Sequence, residues 1–142
     1  MLVAIAARGT DWSAPCDPRF GRADGFVIID SDTGQIVDAI RNPNVAAGGG
    51  AGINTAQMLA NRGVKVIIAG AVGPNAFGVL QSAGIAVYSS AGYATVKDAY
   101  EAFKDGKLAP ITTPGPEGHA RPGGGFGPGG YGRGGGWGRG GW

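Results

Sequence analysis

Apolar residues fall in short runs along the first three-quarters of the chain, and their spacing changes from strand-like to helix-like along the way. "LVAIAA" (2–7) is a continuous apolar run that ends at Arg8-Gly9, the mark of a buried strand. "GFVIID" (25–30) and "QIVDAI" (35–40) flank the turn sequence "SDTG" and predict an antiparallel hairpin. Helical spacing begins at about 51–62, where Ile53, Ala56, Leu59 and Ala60 share a face and Gly63 suits the C-terminus. "VKVIIAG" (64–70) is again a strand. Pro74 then suits a first helical turn and Gly84 a stop, before a fifth strand, "IAVY" (85–88). A last helix is marked by a Thr95/Asp98 capping box and by Val96, Ala99, Tyr100 and Phe103, and it ends at Gly106.

The order βββαβαβα predicts an α/β domain with a mixed five-stranded sheet, strand order 3-2-1-4-5, strand 2 antiparallel and three helices on its faces. This architecture resembles the ribonuclease-H-like folds. With strands 1, 3, 4 and 5 parallel, segments 8–24, 42–51, 70–75 and 89–94 all leave one edge of the sheet. Three of them lead into helix N-termini, whose N–H groups and dipoles favour anions. Ligands of open α/β sheets bind outside the strand C-termini where strand order reverses, here between strands 1 and 4. The loop "CDPRFGRADGF" (16–26) is expected to overhang that point.

Composition divides the chain. Of its 30 glycines, 15 follow Thr113. Residues 1–109 hold nine Lys/Arg against nine Asp/Glu, so the net charge of +2 comes from Arg121, Arg133 and Arg139 against Glu117. The body, 1–110, is therefore not a basic nucleic-acid-binding domain. Residues 111–142 form a Gly/Arg/aromatic low-complexity segment that buries too little apolar area to fold alone and is expected to be disordered. Its Phe126, Tyr131, Trp137 and Trp142, interleaved with arginines, suggest an alternative function as a nucleic-acid or protein-interaction adaptor by stacking. With so few arginines the electrostatic contribution is small, which disfavours nucleic acid. One cysteine, no secretory signal and no apolar run near the about 20 residues needed to span a bilayer predict a cytoplasmic protein without membrane contact.

The candidate chemistry lies on the loops. "GGGAGI" (48–53), with Gly49, Gly50, Ala51 and Gly52, could cradle an oxyanion on backbone amides, or could simply start a helix. It matches neither the phosphate-loop nor the dinucleotide pattern. Gly70 and Gly73 let backbone approach a ligand closely, and Pro74 and Asn75 open the helix that follows. Arg8 (beside Gly9), Arg19 and Arg22 could clamp an anion by forked hydrogen bonds, or could pair with Asp11, Asp17 and Asp24 to fix the loop. Cys16 is either a metal or sulfur ligand or incidental, and the nearby Arg19 and Arg22 are expected to lower its pKa. No CxxC spacing occurs, and the only histidine, His119, lies in the tail. Nuclease chemistry needs a carboxylate in the first strand, which "LVAIAA" lacks, and Asp30 and Asp32 lie at the opposite end of the hairpin. Without a histidine in the body there is no Ser–His–acid set. A phosphorylated-metabolite enzyme using the glycine loops remains a third reading.

"DPRFGRADGF", "GAGINTAQMLANRGVKVIIAGAVGPNAFGVLQSAGIAVY" and "TVKDAYEAFKDGKL" together resemble the dinitrogenase iron–molybdenum cofactor biosynthesis family, the NifX/NifB-C-terminal type of domain. The resemblance rests on Asp17–Arg22, Gly50–Ile53 and Gly73–Ala76 in order, and covers residues 1 to about 110. It implies a ribonuclease-H-like fold without nuclease activity that binds an anionic metal–sulfur cluster. That cluster would be an iron–molybdenum cofactor precursor or a molybdenum–copper sulfide, passed to an acceptor or assembly protein. The implied binding residues are Arg8, Gly9, Cys16, Arg19, Phe20, Gly21, Arg22, Gly49–Gly52, Gly70 and Gly73–Asn75, with Cys16 an optional direct ligand.

Overall fold

The computed structural model describes residues 1–43 and 50–114. Gly49 and the low-complexity tail from residue 115 onward lie outside the described residues. Strands β1 (Leu2–Ala7), β2 (Gly25–Asp30) and β3 (Gln35–Arg41) are followed by helix α1 (Ala51–Asn61) and strand β4 (Val64–Ala69). Helix α2 (Pro74–Ser82), strand β5 (Ala86–Ser89) and helix α3 (Val96–Lys104) complete the domain. The sheet order is β3-β2-β1-β4-β5. β2 runs antiparallel to both neighbours, while β1, β4 and β5 are parallel. The mixed sheet and strand order are those the sequence predicts, a topology compatible with ribonuclease-H-like architecture.

β1 is apolar throughout because both of its faces are covered. Ala4 and Ala6 join Phe26, Ile28, Ile67 and the inner faces of α1 and α2 (Ala56, Leu59, Phe77, Leu80). Val3, Ile5 and Ala7 join Val27, Ile29, Ile68 and α3 (Val96, Ala99, Tyr100). In α1 the buried positions are Ala51, Thr55, Ala56 and Leu59, and Ile53 is only half-buried. The apolar face is thus turned from the one read in the sequence, and a threonine occupies it. α3 ends before Gly106 at φ 73°, and Ile85 enters the core just ahead of β5.

The β5 edge of the sheet is paired with the segment that follows α3. Beside β5, the Ser89 N–H donates to Ala109 O at 2.8 Å and the Ile111 N–H to Val87 O at 2.8 Å. The chain therefore covers that edge and keeps pairing one residue past 110. No described helix is long and apolar enough to cross a membrane.

Candidate functional site

The loop from Arg8 to Asp24 straddles the C-terminal edge of the sheet. On the α3 side, Ala14, Trp12 and Cys16 pack into the apolar cluster. On the other side, Phe20 and Ala23 enter the α1/α2 core, with the Phe20 and Phe26 rings edge to face at 5.6 Å. Between these anchors the backbone is tied to the strand ends. The Arg8 N–H donates to Pro15 O at 2.9 Å, Asp17 N–H to Ala6 O at 2.8 Å, and Cys16 N–H to Ala94 O at 2.9 Å. The loop therefore crosses above β1 and β4, where strand order reverses.

The centre of the loop is Asp17, which is 0% exposed. Its Oδ1 accepts from the Arg19 N–H and Nε–H, both at 3.0 Å. Its Oδ2 accepts from Arg19 Nη2 at 3.0 Å and the Asp24 N–H at 3.1 Å. Arg8 Nε lies 3.6 Å from the same oxygen. Burial alone would raise this carboxyl's pKa, but hydrogen bonds from the Arg19 side chain, the two backbone N–H groups and the Arg19 charge prevail and hold it below the usual carboxylate range. The arginine side chains remain about half exposed, Arg8 at 50% and Arg19 at 48%. Arg19 is thus fixed to Asp17 by hydrogen bonds, and Arg8 pairs with the same carboxylate at longer range. Asp11, by contrast, accepts from the Ser13 N–H at 3.0 Å and Ser13 Oγ at 2.8 Å.

Glycines let this loop sit directly on the helices. A Cβ at Gly70 would lie 2.5 Å from Pro18 O, and one at Gly21 would lie 2.7 Å from Gly52 Cα. The close approach these positions permit is to the protein's own backbone. A Cβ at Gly52 would meet that of Ala76 at 3.1 Å, so the first turns of α1 and α2 lie side by side. Both helices are capped by glycine, Gly50 at φ 81° and Gly73 in an extended conformation with Pro74 following, and neither cap supplies a side-chain acceptor.

Asn42 and Thr55 brace the assembly, and sequence reasoning missed both. Buried Asn42 donates from Nδ2 to Gly21 O at 3.0 Å and Ala23 O at 2.9 Å. The Thr55 hydroxyl lies 3.2 Å from Gly21 O and 3.3 Å from Asn42 Oδ1. The one signal is for Thr55, a polar residue on the inner face of an otherwise apolar helix, whereas Asn42 follows β3 with no such pattern.

Three expectations are corrected. The N-terminus of α3 is closed by the protein itself. The Val96 N–H donates to Ala14 O and the Lys97 N–H to Trp12 O, each at 2.9 Å, while Thr95 Oγ1 accepts from the Asp98 N–H at 3.2 Å. Only two helix N-termini therefore remain for a ligand. Next, Cys16 is not a thiolate in an arginine field. Burial and then the Asp98 charge push its thiol up to about 11, and its side chain packs on the α3 side, away from the Gly52–Ala76 contact. Finally, Phe20 is 2% exposed and serves the core, as does Ala51 at 5%. Arg22 and Asn75 are exposed at the same edge. Among the described residues no group of three or more His, Cys, Asp or Glu side chains could hold a metal ion.

The chain is of the class of small mixed-sheet α/β domains, and its strand-end edge brings two glycine-capped helix N-termini beside two arginines paired with a buried aspartate. Comparison with known proteins narrows that class. Residues 1–106 match the model of the family described as dinitrogenase iron-molybdenum cofactor, and the chain belongs to this family. It is similar to the apo form of the orange protein from Desulfovibrio gigas, with 40% identity over 81% of this chain and 96% of that one, at a TM-score of 0.77. A Thermotoga protein assigned to NifB matches at 39% identity over 82% and 98% of the two chains, at a TM-score of 0.72. An uncharacterised protein of Methanocaldococcus jannaschii is 36% identical over 93 residues, 64% of this chain and 78% of that one.

Proposed function

We propose that this protein binds an anionic metal–sulfur cluster, or its thio-oxyanion precursor, and hands it to an acceptor protein in cofactor assembly, without itself catalysing a reaction. The cargo is of the iron–molybdenum cofactor or molybdenum–copper sulfide type. The observation that carries this reading is the side-by-side placement of the glycine-capped N-termini of α1 and α2 beneath a loop that holds Arg8 and Arg19 half exposed. Metal–sulfide clusters are bulky, negatively charged and soft-surfaced. Backbone N–H groups at Gly52, Gly70, Gly73 and Asn75, together with the guanidinium forks of Arg8, Arg19 and Arg22, would hold such cargo through N–H···S and charge contacts. Gly21 lets the loop lie against the first turn of α1, and Gly9 lets the loop close on Ala14.

Cys16 is not required as the anchor in this reading: it packs in the α3-side cluster, where burial favours its protonated thiol. Holding by charge and hydrogen bonds alone gives weak, reversible retention, which suits a carrier. Anaerobic incubation of the full chain with molybdate, sulfide and copper or iron, followed by desalting, metal analysis and visible spectroscopy, tests the proposal. A coloured protein with bound metal and sulfide is expected, whereas a colourless, metal-free protein under every combination would overturn it.

A further inference from the structure

The geometry points to Asp17 as a positioning residue that sets two arginines from opposite limbs of one loop into one anion-binding arrangement. This inference rests on the cluster-carrier reading and adds how the seat is pre-formed. Asp17 is acidic and lies within a site proposed for an anion, so on charge alone it opposes binding. Its surroundings indicate another role. The carboxylate is wholly buried and cannot meet cargo directly. Its acceptor capacity is taken up inside the protein, by Arg19 through its backbone and both Nε and Nη2, by the Asp24 N–H, and by Arg8 at longer range.

Arg8 follows β1, while Arg19 belongs to the loop's far limb, and Asp17 is the group that both of them meet. The Nε–Nη2 side of Arg19 is spent inward, so its remaining N–H groups are directed by a fixed fork rather than by a free four-bond side chain. The Pro18 carbonyl against Gly70 and the Asp17 N–H on Ala6 O hold the carboxylate itself in place. Ordering these long side chains before cargo arrives removes an entropy cost that binding would otherwise carry.

The two possible roles predict opposite signs. If Asp17 acts only as a negative charge or a structural brace, Asp17→Asn raises the local positive potential and the folded protein binds an anion at least as tightly. As a positioning residue, the same substitution frees the arginines, and affinity falls by about tenfold from the mobility of two released side chains. The full chain is titrated with tetrathiomolybdate, comparing wild type, Asp17→Asn and Asp24→Asn. Asp24 is exposed and lies 3.7 Å from Arg19 Nη2, so its loss is expected to tighten binding slightly. Weaker binding by Asp17→Asn beside tighter binding by Asp24→Asn is the expected pattern, and equal or tighter binding by folded Asp17→Asn overturns the inference.

Should Asp17→Asn fail to fold, nitrogen relaxation of the Arg19 Nε–H in the wild-type protein decides the matter. A rigid, slowly exchanging Nε–H is expected before any anion is added, and a freely mobile one refutes pre-ordering. If wild-type protein does not bind tetrathiomolybdate at all, the carrier reading fails, a result separate from either outcome for Asp17.

Discussion

Three helices begin at the same edge of the sheet, yet their N-termini are treated in two ways. At α3, Thr95 caps the helix by accepting the Asp98 N–H, and the carbonyls of Trp12 and Ala14 take the next free donors. At α1 and α2 the caps are Gly50 and Gly73, which supply no side-chain acceptor. The difference separates structure from function along one edge. Where the chain closes its own helix end, the helix serves stability. Where it puts glycine, it gives up a few tenths of a kcal/mol of capping and leaves the first turn without a side-chain acceptor, which the proposed function assigns to cargo. Both arginines that meet Asp17 sit on the same loop that supplies the Trp12 and Ala14 carbonyls, so that loop seals one helix and, in the proposed function, furnishes the seat at the other two.

The comparison is most sharply broken at Gly70. Gly70→Ala drives a Cβ into the Pro18 carbonyl and is expected to cost about 2–3 kcal/mol, from the backbone shift that relieves the overlap. Chemical denaturation measures that loss, and tetrathiomolybdate affinity should collapse with it because the loop lifts from the edge. Gly73→Asp turns α2 into a copy of α3's design. The extended conformation at Gly73 accepts a side chain, so stability should rise by a few tenths of a kcal/mol. Cargo affinity should fall about tenfold or more as a fixed carboxylate repels the anion at close range. A Gly73→Asp protein with undiminished affinity would show that the α2 terminus is not used.

Thr95→Ala is the reciprocal change. It should cost about 1 kcal/mol by removing the cap acceptor, read as a lower denaturation midpoint, and leave tetrathiomolybdate binding where it was. The smallest effects concern Cys16. With burial pushing its pKa up to about 11 from an ordinary 9.0, the native thiol keeps its proton where the unfolded one ionises. Stability is therefore expected to fall as pH climbs from 9 toward 11 and to be insensitive to this group below that window. Cys16→Ser should remove that alkaline slope and leave anion affinity at neutral pH unchanged, which denaturation and titration series check directly.

Much of this arrangement could be read from the residues. Two-sided burial made "LVAIAA" and "VKVIIA" apolar throughout, the "SDTG" turn fixed the hairpin, and the crossover rule then left little freedom in strand order. The Thr95/Asp98 cap was legible too, although the sequence reading still counted the start of α3 among the anion-favouring N-termini. What could not be read was which groups face each other across the edge. The attraction of Arg19 and Arg22 for a thiolate at Cys16 was a plausible inference from proximity in sequence. The chain in fact turns Cys16 toward the α3-side cluster and Asp98 while Arg19 folds back on Asp17. The buried roles of Asp17, Asn42 and Thr55 likewise depend on partners up to 34 residues away, which no local pattern encodes. Gly70, read as letting backbone approach a ligand, lies directly against the protein's own Pro18 carbonyl.

Amide chemical shifts recorded while tetrathiomolybdate is added to the full chain test the central division most directly. Resonances of residues 17–22, 50–53 and 70–76 should move together along one saturating curve, with 94–98 at the start of α3 nearly still. Shifts centred on 94–98, or scattered without a common curve, would contradict the assignment of the seat to the glycine-capped helices.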